Sequence, residues 1–375
     1  MTADLAFTVR AIRTTCLRVP LERPMRNAFG SIDARPALLV ELELDDGAVG
    51  LGEVFCNFPG FSQFHKARIL NELVAPKITG ASFASPEAMT VALTAAIHRI
   101  TLQSGEFGPF AQVIGGLDVA AWDAVARRAD APLWRLLAPD AKPRAVTAYA
   151  SGLDSADIDA LVPPLRQAGW RAYKLKVGFG TEPDRRGLGA LRAATGPDAA
   201  LMVDANQGWE FAQADAEIRA LANEGLEWVE EPIAADSPAE EWRALAAIGP
   251  PIAAGENLRG DSAFQDAADA GIKVLQPDII KWGGISGARR IAGLARDAGI
   301  LWAPHYLAGG VGLAASAHLA AACDAFYLEV DANPNPLRDG LLGGAIAVED
   351  GLVRFTDRPG HGAVPDPAII ARYSD

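Results

Sequence analysis

The sequence predicts an α/β chain of two units. An α+β capping domain covers residues 1–138, a (β/α)7β TIM-like barrel covers 139–332, and residues 333–375 return to complete the cap. Three observations predict this. Seven polar residues, Lys176, Asp204, Glu230, Glu256, Asp278, His305 and Glu329, each close a short apolar run, at intervals of 28, 26, 26, 22, 27 and 24 residues. One helical pattern fills each interval, and a strand with its crossover helix takes roughly 25–35 residues. Residues 1–60, by contrast, alternate like antiparallel strands, and 62–138 repeat like helices.

In chain order, FTVRAIRTTCLRV and ALLVELEL read as strands flanking a turn-rich segment, and ELELDDGAVGLGEV as a hairpin with an Asp-Asp-Gly turn. HKARILNELVAPKI, SPEAMTVALTAAIHRI and GLDVAAWDAVARRA carry apolar residues at i, i+3 and i+4. The second of these opens with Ser85 as N-cap and Pro86 at the first helical position. APDAKP then breaks the pattern. VTAYASG is the first barrel strand and DSADIDALVPPLRQAG its helix. AYKLK, ALMVD, LEWVE, PIAAGE, VLQPD, LWAPH and FYLE complete the eight strands. GGAIAVEDGLVRFTDRPGHGAVPD reads as a further hairpin and loop that pack on the first unit.

Half of the 375 residues are hydrophobic and 22% are charged, as in a globular enzyme with a large core. The net charge of −13 argues against nucleic acid or an anionic membrane as partner, while a local cation still admits a small anion. Cys16, Cys56 and Cys323 are scattered without CxxC pairing, so neither a disulfide framework nor a zinc site is expected. With no signal-like or membrane-length apolar run, the cytoplasm is the expected compartment.

Strand ends converge on one mouth of such a barrel, and chemistry sits there. Neighbouring strands stand about 5 Å apart, so Asp204, Glu230 and Glu256 would crowd within repulsion distance unless a cation neutralises them. Acids at strand ends also cap helices, but three at matching offsets favour a divalent ion. Oxygen ligands suit Mg²⁺ or Mn²⁺ better than zinc. Glu231 follows Glu230, and alternation lets only one face inward; the 26-residue intervals favour Glu230. Asn206 lies on the Asp204 face and could hydrogen-bond a substrate or a ligand, or be a turn residue.

Lys174 and Lys176 share the inward face of their strand, where mutual repulsion would lower one toward the range of a working base. Lys176, nearer the mouth, is the better base, with Lys174 as its partner and as a holder of substrate carboxylate. Asp278 and His305 end consecutive strands, and a carboxylate on an imidazole makes an acid–base group. Glu329 could donate a hydrogen bond if protonated in a dry site. Lys281 reads as a helix-start lysine in solvent, and a weaker candidate base. His318 reads as a packed or surface helix residue, His98 as structural, and His65 and His361 as lying outside the barrel within possible reach of its mouth.

YKLKVG, MVDANQGW, WVEEP, AAGEN, QPDIIKWGGISG and APHYLAGGVGLAASAHLAAA, with GLDVAAWDAVARRADAPLWRLL before them, resemble the enolase superfamily, in its mandelate racemase and muconate lactonizing enzyme branch. The resemblance spans nearly the whole chain. It implies a homo-oligomeric, Mg²⁺-dependent lyase or racemase that abstracts the α-proton of a carboxylate substrate to give an enediolate. Asp204, Glu230 and Glu256 match the metal ligands, Lys176 the base of the KxK motif and Lys174 its partner. His305 with Asp278 matches the dyad of the mandelate racemase subgroup, and Glu329 the acid that hydrogen-bonds the intermediate.

Relatives with a second catalytic lysine place it where this chain has Asp278; Lys281 is offset from there by three residues. Phe29, Phe55 and Phe58 in the covering loops could wall the pocket or anchor the cap, and Arg26 or Asn27 could meet polar substrate groups. The leading expectation is an acid-sugar dehydratase or a mandelate-type racemase. The alternative is a Lys-Lys racemase, epimerase or cycloisomerase, and a catalytically idle binding protein is the least supported reading.

Overall fold

The structure, a computed structural model, describes residues 4–27, 30–140 and 145–374. The cap begins with β1 (Phe7–Asn27), β2 (Gly30–Leu44) and β3 (Val49–Val54). Together with β4 (Ser82–Phe83) these form an antiparallel sheet in the order β3-β2-β1-β4. The expected Asp-Asp-Gly turn joins β2 to β3, with Gly47 in the left-handed region at φ 89°.

The segment expected to be turn-rich is instead extended. After a register shift between Pro20 and Met25 the ladder resumes, pairing Met25 with Ile32 and Asn27 with Gly30. Pro20 and Pro24 lack the N–H that a ladder needs, so they mimic turn chemistry while only interrupting the pairing.

Helix α1 (Ser62–Arg68) runs through a π-helical turn (Ile69–Val74) into α2 (Ala75–Ile78). Next come α3 (Pro86–Ser104), α4 (Phe107–Arg128) and α5 (Leu133–Leu137). Ser85 caps α3 as expected, its Oγ accepting the Ala88 N–H at 3.1 Å. The GLGE run of β3 packs directly on α4. A Cβ on Gly50 would stand 2.0 Å from the Ala120 carbonyl oxygen, and one on Gly52 2.0 Å from that of Gly116.

The second unit alternates strand and helix throughout: β5 (Thr147–Leu153), α6 (Ile158–Gln167), β6 (Ala172–Lys176), α7 (Thr181–Thr195), β7 (Ala200–Asp204), α8 (Phe211–Leu221), β8 (Leu226–Glu230), α9 (Ala239–Ala246), β9 (Ile252–Ala254), α10 (Asp261–Asp269), β10 (Val274–Leu275), α11 (Gly284–Ala298), β11 (Leu301–Trp302), α12 (Gly310–Ala322) and β12 (Tyr327–Asp331). The strands pair in parallel from β11 down to β5, and β12 pairs with β5. The Phe326 N–H donates to the Trp302 carbonyl at 2.9 Å, so the two ends of the series meet. This is the expected (β/α)7β barrel.

Strands β9, β10 and β11 end two or three residues before Glu256, Asp278 and His305. Gly255, Pro277 and Pro304 intervene, and proline cannot donate to a ladder.

After α13 (Pro336–Leu342), β13 (Ile346–Glu349) and β14 (Leu352–Phe355) form the expected hairpin. It pairs with the start of β5 rather than with the cap, Leu352 lying opposite Thr147. Helix α14 (Pro367–Tyr373) reaches the cap, where Ser374 bridges to Leu17 of β1.

Candidate active site

Strand alternation builds the site in storeys. Tyr149, Ala172, Met202, Trp228, Ala253, Val274, Ala303 and Tyr327, one from each strand or its continuation, form one buried apolar cluster inside the barrel. The large rings stack edge-on, Tyr149 against Trp228 at 5.5 Å and Trp228 against Tyr327 at 5.8 Å, over the small residues of the other strands. Two residues further along come Ser151, Lys174, Asp204, Glu230, Gln276, His305 and Glu329, every one buried. Seven of eight strands thus turn polar at the same height.

The exception is β9, where that height falls on Gly255. Its φ is 153°, and a Cβ there would lie 2.6 Å from the Gln276 nitrogen. The acid comes one residue later, as Glu256.

Lys176 lies in register with Asp204, and Asp204 with Glu230. Lys176 Nζ donates to Asp204 Oδ2 at 2.5 Å. Lys174 Nζ stands 2.5 Å from Glu230 Oε1, 2.8 Å from Glu329 Oε1 and 3.6 Å from Asp204 Oδ2. His305 Nδ1 lies 2.8 Å from Asp278 Oδ2, and its Nε2 lies 3.0 Å from Glu256 Oε2. Glu230 also accepts from Trp228 Nε1 at 3.1 Å and Gln276 Nε2 at 2.7 Å.

Electrostatics follow this mixing of signs. Burial pushes Glu230 up to about 7 against the pull of Lys174. Burial would also raise Glu256, yet His305, Lys281 and Lys176 hold it well below its ordinary value. Burial opposes the His305 imidazolium, but Glu256, Glu329 and Asp278 outweigh it and lift the ring to about 9.

Several expectations are corrected here. Repulsion does not lower either lysine: burial acts downward, but carboxylates surround both, so Lys174 is raised well above its ordinary value and Lys176 is raised too. Glu329 is an acceptor rather than a protonated donor. Although burial opposes its charge, Lys174 and His305 bring it down to about 2, and it receives Ser151 Oγ–H at 2.5 Å and the Tyr306 N–H at 2.9 Å.

Lys281 does not point into solvent. Its side chain is 13% exposed, and Nζ donates to Glu256 Oε2 at 3.0 Å and Asn257 Oδ1 at 2.8 Å. His65 does not approach the mouth; it is exposed on the cap, paired with Glu106 at 2.9 Å. His361 is buried against Asp123 and the Leu51 carbonyl, and His318 accepts the Trp134 N–H at 3.1 Å.

Asn206 faces Asp204 as expected, donating from Nδ2 at 3.3 Å. Phe55 is buried, with Lys281 Nζ 5.0 Å from its ring centre, while Phe58 is 40% exposed. The side chains of Arg26 and Asn27, and the whole of Phe29, lie outside the described residues.

Sequence reasoning missed Ser151 and Gln276; alternation carried the signal for Gln276, two residues before Asp278, whereas no recognised position marked the inward face of the strand that holds Ser151. It also missed Glu53, for which the barrel spacing holds no signal. This buried cap carboxylate accepts from Gly309 N–H at 2.6 Å, Gly312 N–H at 3.1 Å and Tyr306 Oη–H at 3.1 Å.

Among the described residues, no three of His, Cys, Asp and Glu are grouped so as to hold a metal, and lysines and His305 lie against the carboxylate oxygens. The donor chemistry nevertheless fits a hard divalent cation. Three acids end successive strands, and the neighbouring buried oxygens Asn206 Oδ1 and Glu231 Oε1 have no hydrogen-bond partner.

Residues 10–138 match the mandelate racemase/muconate lactonizing enzyme N-terminal domain, and residues 158–369 match the enolase C-terminal domain-like family. The chain belongs to the mandelate racemase/muconate lactonizing enzyme family. It is therefore an enzyme of the enolase superfamily.

Among its relatives, D-galactarolactone cycloisomerase of Agrobacterium fabrum is 31% identical over 371 residues, covering 94% of this chain and 95% of that enzyme. Arabinonate dehydratase of Saccharolobus solfataricus is 29% identical over 341 residues, 89% of each. The crystal structure of a family member from Bordetella bronchiseptica RB50 superposes with TM-score 0.90 at 40% identity, covering 98% of this chain and 99% of that one. A Bradyrhizobium enolase complexed with magnesium and mandelic acid superposes with TM-score 0.81 at 31% identity, covering 100% and 99%. No helix among the described residues is long and apolar enough to cross a membrane.

Proposed function

We propose that this family member abstracts the α-proton of an acid-sugar carboxylate and eliminates a β-hydroxyl, as a homo-oligomeric Mg²⁺-dependent dehydratase, with Mn²⁺ as a possible substitute. The observation that carries the reading is the mouth itself. Lys176 and the Asp278–His305 pair reach it from different strands around three acids, Asp204 and Glu230 buried and Glu256 partly buried.

Asp204, Glu230 and Glu256 would hold the cation, which supplies Lewis-acid stabilisation of the negative charge that develops on the substrate carboxylate. With Asp204 engaged by the cation, Lys176 would lose the partner that raises it, give its proton to solvent and, as a neutral amine, take the α-proton, so the α-carbon electrons flow into the carboxylate as an enediolate. Lys174 and the amide of Asn206 stabilise those oxygens by charge and hydrogen bonding. Asp278 fixes the ring through Nδ1 and leaves Nε2 to deliver a proton to the departing β-hydroxyl. The C–O bond breaks, water leaves, and the enol product tautomerises to a 2-keto acid. A substrate lacking the β-hydroxyl would instead be reprotonated by His305 on the opposite face, giving the epimer. Glu329, held by Ser151 and the Tyr306 N–H, orients Lys174.

One observation favours a second reading, the lysine-pair racemase or cycloisomerase: Lys281 contacts the same Glu256 oxygen as His305. Screening acid sugars for α-proton exchange in deuterated water with Mg²⁺, alongside 2-keto product formation, tests both. No exchange from any acid would sink the catalytic assignment. Loss of exchange in Lys281→Met with metal binding retained would favour the lysine pair.

A further inference from the structure

The segment that carries His305 has no regular structure of its own. Strand β11 stops at Trp302 and α12 opens at Gly310, so residues 303–309 depend on hydrogen bonds to other parts of the chain. From the barrel, the Pro277 carbonyl accepts His305 N–H at 3.2 Å and Glu329 Oε2 accepts Tyr306 N–H at 2.9 Å. Others come from the cap. Buried Glu53 on β3 accepts the Gly309 N–H on Oε1 at 2.6 Å and the Gly312 N–H on Oε2 at 3.1 Å. Tyr306 Oη lies 3.1 Å from Glu53 Oε2 and 2.8 Å from the Gly309 carbonyl. Four residues on, Asn57 Nδ2–H donates to the Leu307 carbonyl at 2.7 Å.

The fit at Glu53 is close. A Cβ on Gly309 would stand 2.5 Å from Glu53 Oε1, and one on Gly312 2.5 Å from Tyr306 Oη. Both N–H groups belong to the first turn of α12, where a helix offers them no acceptor of its own. Burial raises the Glu53 carboxyl, and the Gly312 and Gly309 N–H groups and the Tyr306 hydroxyl oppose the rise. Asp278 holds His305 Nδ1 at 2.8 Å. That contact sets how the ring turns about its own bonds, whereas segment 303–309 sets where its Cα stands.

We propose that Glu53 is a positioning residue for the acid–base step: through Tyr306 and the start of α12 it holds the backbone of His305 where Nε2 can deliver a proton to the substrate. This rests on the α-proton reading of the site. Lys176 is placed differently, because ladder pairs bind its strand to β5 and β7 inside the barrel. Loosening Glu53 therefore disturbs the His305 step and spares the Lys176 step.

The test is Glu53→Gln, which keeps the shape of the side chain. Each carboxyl oxygen accepts one N–H, and an amide nitrogen can accept neither. Native and variant protein, both loaded with Mg²⁺, are incubated in deuterated water with a panel of five- and six-carbon aldonates and aldarates. Deuterium entering recovered substrate at the α-carbon reports Lys176, and keto-acid formation reports His305. The ratio of exchange to product is expected to rise about tenfold in Glu53→Gln. Loss of folded protein lowers both rates by one factor, so an unchanged ratio overturns the inference. Tyr306→Phe, which removes one hydroxyl, is expected to raise the ratio in the same direction and serves if the first variant does not fold.

A second readout needs no turnover. The hydrogen-bonded Nδ1–H of His305 gives a downfield proton resonance, assigned by its loss in His305→Asn. Its exchange with water is expected to quicken about tenfold in Glu53→Gln, and exchange at the native rate overturns the inference. A quickened resonance in a protein that exchanges no α-proton would sink the catalytic reading and leave the placement of His305 by Glu53 standing.

Discussion

Lys176 and His305 each hold a carboxylate in the resting site, so their roles separate only when one is removed at a time. Lys176→Ala is expected to cut α-proton exchange by about 10³-fold or more in the substrate epimer it faces. His305→Asn should still allow that exchange while product formation falls by a similar factor. Proton loss followed by NMR, against keto-acid formation, checks the split. Exchange at the parent rate in the Lys176 variant would remove it as base. Residue identity was legible here, because apolar runs flank every one of these side chains. Their charge states were not, since whether a lysine meets another lysine or three acids depends on strand register.

At the scale of elements, α4 of the cap is locked to α11 of the barrel by Asp118. It accepts Ser286 Oγ–H at 2.5 Å, Ser286 N–H at 3.0 Å and Thr90 Oγ1–H at 2.7 Å. Gly284 makes room, since a Cβ there would stand 2.2 Å from Asp118 Oδ1. Burial pushes this carboxyl up to about 6 despite those hydrogen bonds. The folded state therefore holds its proton to higher pH than the unfolded chain. By linkage, this group's contribution is fully present below about pH 4 and is lost as pH rises through 6. The native protein should lose roughly 2–3 kcal/mol relative to Asp118→Asn between pH 4 and 7, measured by urea unfolding of both. A pH-independent difference would refute the assignment. The sequence marks Asp118 only as one polar residue in an apolar helix, and the partner helix lies more than 150 residues away.

Across the whole molecule, cap and barrel are joined by buried polar clamps at the mouth. Arg35 of β2 pairs with Asp331 at the end of β12 at 2.5 Å, both side chains nearly inaccessible, and Glu53 reaches the start of α12. Arg35→Met strands the Asp331 charge and should cost about 3–5 kcal/mol of stability. A loss under about 1 kcal/mol in denaturant unfolding would mean the pair is not a clamp. These contacts span some 250–300 positions of sequence, which no local pattern reports. The tail hairpin shows the same limit: its strands and turn are legible from 346–355, its docking against β5 is not.

The sequence by itself determined the barrel, its eight strands and the polar residues at their ends, because period-two alternation and a repeat of 22–28 residues are local properties that survive without coordinates. It also determined the family, since motif after motif falls on those same strand ends. Only the tertiary structure decided which charges face one another. It set Lys174 between Glu230 and Glu329, made Glu329 an acceptor and drew Lys281 inward. Pairing energies depend on separation and burial, and both are fixed only when strands from distant parts of the chain close around a common axis.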